Sequence, residues 1–168
     1  MLLSRIPAER LFLPDIPDSG NIRQALARAY EEQITWICDE QFLVGDHWKL
    51  SLYPGEKGKE ENESSMCVLF QSGNYDILIT GDRNTAGERY LLEQAKLPEV
   101  ELLIAGHHGA GSSTGFELLS AVRPQSVAIS VGERNAFGHP DGGVLRRLEL
   151  FGCAVYRTDQ CGTIVFRR

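Results

Sequence analysis

The chain has 168 residues, 42% of them hydrophobic, which suits one domain with a real core. Its net charge of −6 excludes a global electrostatic grip on nucleic acid while leaving room for a local basic groove. No apolar run approaches the roughly 20 residues of a membrane span. Arg5, Glu9 and Arg10 interrupt any signal-peptide core in MLLSRIPAERLFLPD, so a cytoplasmic location is the default expectation. The four cysteines, Cys38, Cys67, Cys153 and Cys161, form no CxxC pair. Reduced, mostly buried thiols are expected, with a Cys153–Cys161 bridge as the alternative.

In chain order, RLFLP (10–14) reads as a short strand, followed by the turn-rich DIPDSG. Ser19 or Asn21 can cap a helix over about 21–33, where Ile22, Leu26, Ala29 and Tyr30 recur at helical spacing. ITWIC and HWKLSLY have strand character, and the charged PGEKGKEENES reads as a solvated loop. MCVLF (66–70) and YDILIT (75–80) flank QSGN, a hairpin signature. A helix is predicted over about 85–96, then a buried strand VELLIA (100–105), a helix over 115–122 and a strand SVAISV (126–131). After the loop GERNAFGHP come a helix over about 141–151 and the strands CAVYR and GTIVFRR around the turn TDQC.

Strands alternating with helices in this way predict an α/β sheet with right-handed crossovers. Gly81-Asp82, Gly106-His107-His108-Gly109 and the loop from Gly132 to His139 each follow a predicted strand. That places them together at the carboxyl edge, where open α/β sheets bind ligands. Imidazole and carboxylate are ligands for zinc, manganese or iron, and an aspartate can bridge two cations. Asp82 and His107 fit that chemistry, with His107 the preferred ligand and His108 lining the pocket or fixing the loop. His139, in GHP, is a candidate proton donor or substrate contact. The bland alternatives are Asp82 as a helix cap, Arg83 as a surface arginine, and Ser112, Ser113 and Thr114 as an N-cap for the next helix or donors to a phosphate oxygen. His47, in GDHWKL, reads as part of an ordinary turn.

The series NESSMCVLF, ILITGD, ELLIAGHHGAGSS, VRPQSVAISVGERNAFGHP and VYRTDQCGTIVF resembles the C-terminal half of the metallo-β-lactamase-like domain of ComEC-type DNA-uptake (competence) proteins. The resemblance runs from about residue 61 to the end and, more loosely, back to residue 10. It implies an α/β fold, a partial metallo-β-lactamase αββα sandwich, with residues 1–168 one domain truncated at its N-terminus relative to the family. It further implies a phosphodiesterase or nuclease using a divalent transition metal, zinc or manganese, in a dinuclear site. Asp82 becomes the bridging carboxylate, His107 and His108 metal ligands, and His139 the catalytic histidine of the GHP loop. Asn62 and Ser64 fall in the polar segment before the TGD strand, and Thr158 and Asp159 in the turn beside the pocket, as substrate-binding or supporting residues.

Metallo-β-lactamase folds take most ligands from an HxHxDH motif, and the chain contains none. Each metal would have two or three protein ligands at most, against the three or four that zinc sites use. DNA is the implied substrate, and a missing N-terminal half or a partner chain the implied cover for an open sheet edge. The family parent is an integral membrane protein carrying this domain as an appendage, although the present chain has no span. Two readings result: a hydrolase by descent, or a truncated, inactive domain retained for binding.

Overall fold

Short runs of alternating or continuous apolar residues form the strands, and the computed structural model, which describes residues 8–15, 21–60 and 62–167, assembles them into two sheets. The smaller pairs β1 (Leu11–Pro14) in parallel with β2 (Ile34–Ile37), joined through helix α1 (Asn21–Ala29). The larger contains β3 (Gln41–Val44), β4 (Lys49–Tyr53), β5 (Cys67–Ser72), β6 (Tyr75–Ile79), β7 (Leu102–Ile104), β8 (Ser126–Ile129) and β9 (Ala154–Arg157), neighbours in that order. From β3 to β6 the pairing is antiparallel, and Gly73 at φ +59 makes the predicted two-residue hairpin between Ser72 and Tyr75. From β6 to β9 it is parallel.

Helices α2 (Thr85–Gln94), α3 (Phe116–Val122) and α4 (Gly142–Leu150) are the three crossovers. Right-handed connections stepping in one direction across a sheet place all their helices on one face. The packing agrees: Leu69, Leu78, Leu103 and Val127 share one row across β5 to β8 and meet Leu91, Leu118, Leu119, Val122, Val144 and Leu148 in a single core. Each such leucine contributes about 1.5–3 kcal/mol by leaving water. The other face carries two further rows, Leu50–Phe70–Ile77–Leu102 and Leu52–Val68–Ile79–Ile104–Ala128–Tyr156. There Ile79 and Tyr156 are each 39% exposed.

QFLV, to which no element is assigned from the sequence, forms β3. Three expectations need correction. Helix α1 stops at Ala29, and a turn over Glu31–Gln33 replaces its predicted end, because exposed Glu31 and Glu32 offer no apolar stripe to bury. GTIVFRR forms no strand: the one-turn helix α5 (Thr158–Cys161) and Gly162 at φ +67 redirect the chain. All four cysteines are free, and only Cys67 is buried, its thiol pushed up to about 12 by desolvation. The predicted caps for α1, Ser19 and the side chain of Asn21, lie outside the described residues.

Candidate functional site at the carboxyl rim

Three parallel strands end side by side, and the segments leaving them build the site. After β6, Gly81 takes φ +58, and a Cβ there would lie 2.5 Å from Ser65 Oγ, so the chain can turn this tightly only with glycine. The same Ser65 hydroxyl accepts from the Asp82 amide at 3.0 Å. Asp82 does not cap α2. Asn84 does, accepting from Gly87 N at 3.0 Å, which leaves the Asp82 carboxylate exposed at the rim.

After β7 the chain enters a turn over Gly106–Gly109 in which His107 (φ 47) and His108 (φ 56) both adopt the left-handed conformation. Such backbone costs on the order of 1–2 kcal/mol per non-glycine residue and persists where the surroundings over-determine it. Here His107 N donates to Gly81 O at 2.9 Å, and Gly106 N donates to Thr114 Oγ1 at 3.2 Å. Glu88, 2% exposed, accepts from Thr114 N at 2.6 Å and Gly115 N at 2.8 Å. Burial pushes the Glu88 carboxyl up, opposed by these two amides and by Arg147 and Arg83.

The two imidazoles have different electronic roles. His108 Nδ1 lies 2.7 Å from Ser130 O, and a carbonyl only accepts, so Nδ1 carries the proton and the Nε2 lone pair is available in the neutral ring. Asn62 Nδ2 lies 3.5 Å from His107 Nδ1, an arrangement in which the amide donates and the His107 proton sits on Nε2. Side by side, with centroids 6.4 Å apart, one ring offers a donor and the other an acceptor. His108 is thus better prepared than His107, the ligand preferred from sequence, to present a lone pair.

The third strand end, the loop after β8, brings His139 to 5.8 Å from His107. Asn135 braces it twice, accepting from His139 N at 2.9 Å and donating to His139 O at 2.7 Å. Thr158 Oγ1 holds the start of this loop, accepting from Val131 N at 2.7 Å and donating to Val131 O at 2.8 Å. Asp159 pairs with Arg157 at 2.6 and 3.0 Å, and that guanidinium holds its carboxyl below the usual range. Thr158 therefore ties the segment after β9 to the rim loop, while Asp159 pairs with Arg157 at the end of that strand.

Asp82, His107, His108, His139 and Asn62 are brought to one edge. Ser64 is buried and donates to Glu56 O and Lys59 O at 3.0 and 3.3 Å, so its neighbour Ser65 is the serine at Asp82. His47 lies in the turn between β3 and β4, at the opposite end of the sheet. Arg83 is no surface arginine: it is 0% exposed and donates to Ser65 O at 2.7 Å, Tyr53 O at 3.1 Å and Gly87 O at 3.4 Å. Ser112, Ser113 and Thr114 do not cap α3, whose N-cap is Gly115 without a side-chain bond. Instead Ser112 O accepts from Thr85 N at 2.7 Å, and Thr114 closes the histidine turn. Sequence reasoning missed Glu88, Ser65 and Asn135; the partners of Glu88 and Ser65 are distant backbone groups, which carry no signal along the chain, whereas Asn135 bonds within its own loop, to Gly132 and His139.

Among the described residues, no three His, Cys, Asp or Glu side chains converge as a metal centre requires. The donor set therefore does not fit a centre complete within these residues.

Comparison with known proteins adds the family. No protein-family model matches the chain. It is 35% identical over 107 residues to ComE operon protein 3 of Bacillus subtilis, covering 64% of this chain and 14% of that protein. Competence protein ComA of Neisseria gonorrhoeae is 33% identical over 117 residues, 68% of this chain and 17% of that protein. The chain is a homologue of competence proteins. Recombination protein 2 of Haemophilus influenzae is also similar to the competence homologue, at 33% identity over 106 residues, 63% of this chain and 13% of that protein. The match thus spans less than a fifth of the length of these relatives.

Among solved structures, a CmlA β-hydroxylase mutant superposes with a TM-score of 0.52 at 16% identity, covering 88% of this chain and 38% of that one, a likeness of fold alone. The metallo-β-lactamase fold protein YhfI of Bacillus subtilis gives 0.47 at 12% identity, over 87% of this chain and 62% of that one. The competence homologue has an α/β fold in which one helix-backed mixed sheet stands beside the small β1–β2 pair. Among the described residues no helix is long and apolar enough to cross a membrane.

Proposed function

We propose that the competence homologue serves DNA uptake as part of a phosphodiester hydrolase of the metallo-β-lactamase type, holding the DNA backbone at the His107–His108–His139 rim. One observation carries the reading: two adjacent histidines in left-handed backbone, joined by His139 and the uncapped Asp82, stand at the carboxyl ends of parallel strands. In this reading the His107 Nε2 proton meets a phosphoryl oxygen. His108 Nε2 takes the proton of the attacking water, and His139 returns one to the leaving oxygen.

The incomplete donor set and the apolar rows on the sheet's second face support reading residues 1–168 as the C-terminal half of the domain. A preceding segment or partner chain covers that face. With the two imidazoles engaged in this way, Asp82 is the donor this half would offer to zinc or manganese.

The test measures metal content by elemental mass spectrometry after incubation with zinc and manganese, together with DNA binding and cleavage of a phosphodiester, in the wild type, Asp82→Ala and His108→Ala. DNA binding lost in His108→Ala supports the rim. Cleavage appearing only when a segment bearing HxHxDH is added supports the half-domain. DNA binding without cleavage in either case assigns the second reading, an inactive binding module, which the incomplete donor set favours. Absence of DNA binding overturns both.

A further inference from the structure

We propose that Phe137 is a stacking platform for an unpaired nucleobase, so that the substrate class is single-stranded nucleic acid; the inference rests on the rim being a phosphodiester site. Phe137 is 82% exposed, the most exposed of the large apolar side chains among the described residues. It stands in a rigid place: its ring is stacked on His139 with centroids 5.9 Å apart and planes inclined by 19°, and Asn135 fixes His139 through both of its backbone groups. One face of the phenyl ring is thus taken by His139, and the exposure leaves the other to solvent.

The rings form a ladder, Phe137 against His139 and His139 edge-on to His107 at 5.8 Å and 67°. A nucleotide whose phosphate meets the histidines carries its base only a few bonds away, the reach of one ring further along this ladder. Stacking suits the loop better than charge does, because Glu133 and Arg134 offset each other at 3.9 Å. It also suits the loop better than an apolar protein contact, since the residues beside Phe137 in the chain, Arg134, Asn135, Ala136 and Gly138, are polar or small. Base stacking on an aromatic tolerates any base and needs the base unpaired.

The experiment compares, with the full chain and by fluorescence anisotropy, a single-stranded oligonucleotide and an abasic strand of equal length and charge. The wild type is expected to bind the base-bearing strand roughly ten-fold or more tightly than the abasic one. Phe137→Ala should lose that difference while keeping the abasic affinity, and Phe137→Trp should retain it. Equal wild-type affinity for the two strands overturns the platform and leaves the rim standing. So does an alanine variant that is unchanged or that weakens both strands alike. Binding of neither strand overturns the rim and the platform together.

Discussion

The helix-backed half of the sheet and the N-terminal segment differ in how tightly they are determined. From β5 to β9, a row of buried leucines and valines lies under three helices, and even the charged groups Arg83 and Glu88 are enclosed. Among the described residues from 8 to 44, Ile37 alone is buried, and Trp36 and Phe42 are 44% and 49% exposed. The histidine turn, whose backbone is unfavourable, stands on the first region. A strained site needs surroundings that leave it no cheaper conformation, and only the helix-backed half supplies them.

The largest expected effect comes from Arg83→Met. Three carbonyls lose a buried cationic donor, and stability should fall by on the order of 3–5 kcal/mol in urea denaturation. Arg23→Ala, which removes a bond to Pro14 O and a guanidinium 4.8 Å from the Trp36 ring, should cost about 1 kcal/mol or less. Equal losses would break the contrast between the regions. Leu103→Ala, at a fully buried position, should cost about 2–5 kcal/mol, whereas Phe42→Ala on the edge strand should cost markedly less.

Glu88→Gln sharpens the same contrast at the site. The neutral amide retains one acceptor oxygen for the two backbone donors, so a loss of about 1–3 kcal/mol is expected, with shifted His107 and His108 ring signals in NMR spectra. Unchanged histidine signals would mean that the turn is held without it.

The pair Arg157–Asp159 makes a pH-dependent contribution. Its aspartate is lowered in the folded state, so its stabilisation is present above the ordinary carboxylate value of 3.8 and is lost as the pH falls through the lowered folded value. The Tm difference between wild type and Asp159→Asn should therefore be open at neutral pH and close in acid. The smallest effect is expected at Ser113, whose buried hydroxyl has no hydrogen-bond partner among the described residues. Ser113→Ala should leave the Tm unchanged or raise it slightly.

Much of the fold could be read along the chain because its signals are local. Apolar runs such as VELLIA, the Gly-Asn turn of QSGN and the alternation of strands with helices over residues 75–151 needed no knowledge of distant contacts. The gathering of Asp82, His107 and His139 was legible for the same reason, since each follows a strand and parallel strands align their carboxyl ends. The roles of individual polar residues were not. Arg83 looked like a surface residue because its three acceptors lie on Tyr53, Ser65 and Gly87, and Asp82 looked like a cap because Asn84 two positions later could not be preferred by type alone.

What the residues by themselves determined was the order of elements from the hairpin at 66–80 to the helix at 142–150, the parallel crossovers and the meeting of Asp82 and the histidines at the strand ends, because hydrophobic period and turn chemistry act between near neighbours. What only the tertiary structure decided was the electronic character of the site. His108 presents a lone pair because the Ser130 carbonyl takes its Nδ1 proton, and Phe137 offers a free face because His139 occupies the other. Hydrogen-bond direction and ring stacking depend on which groups meet across the fold, and residue type does not encode that meeting.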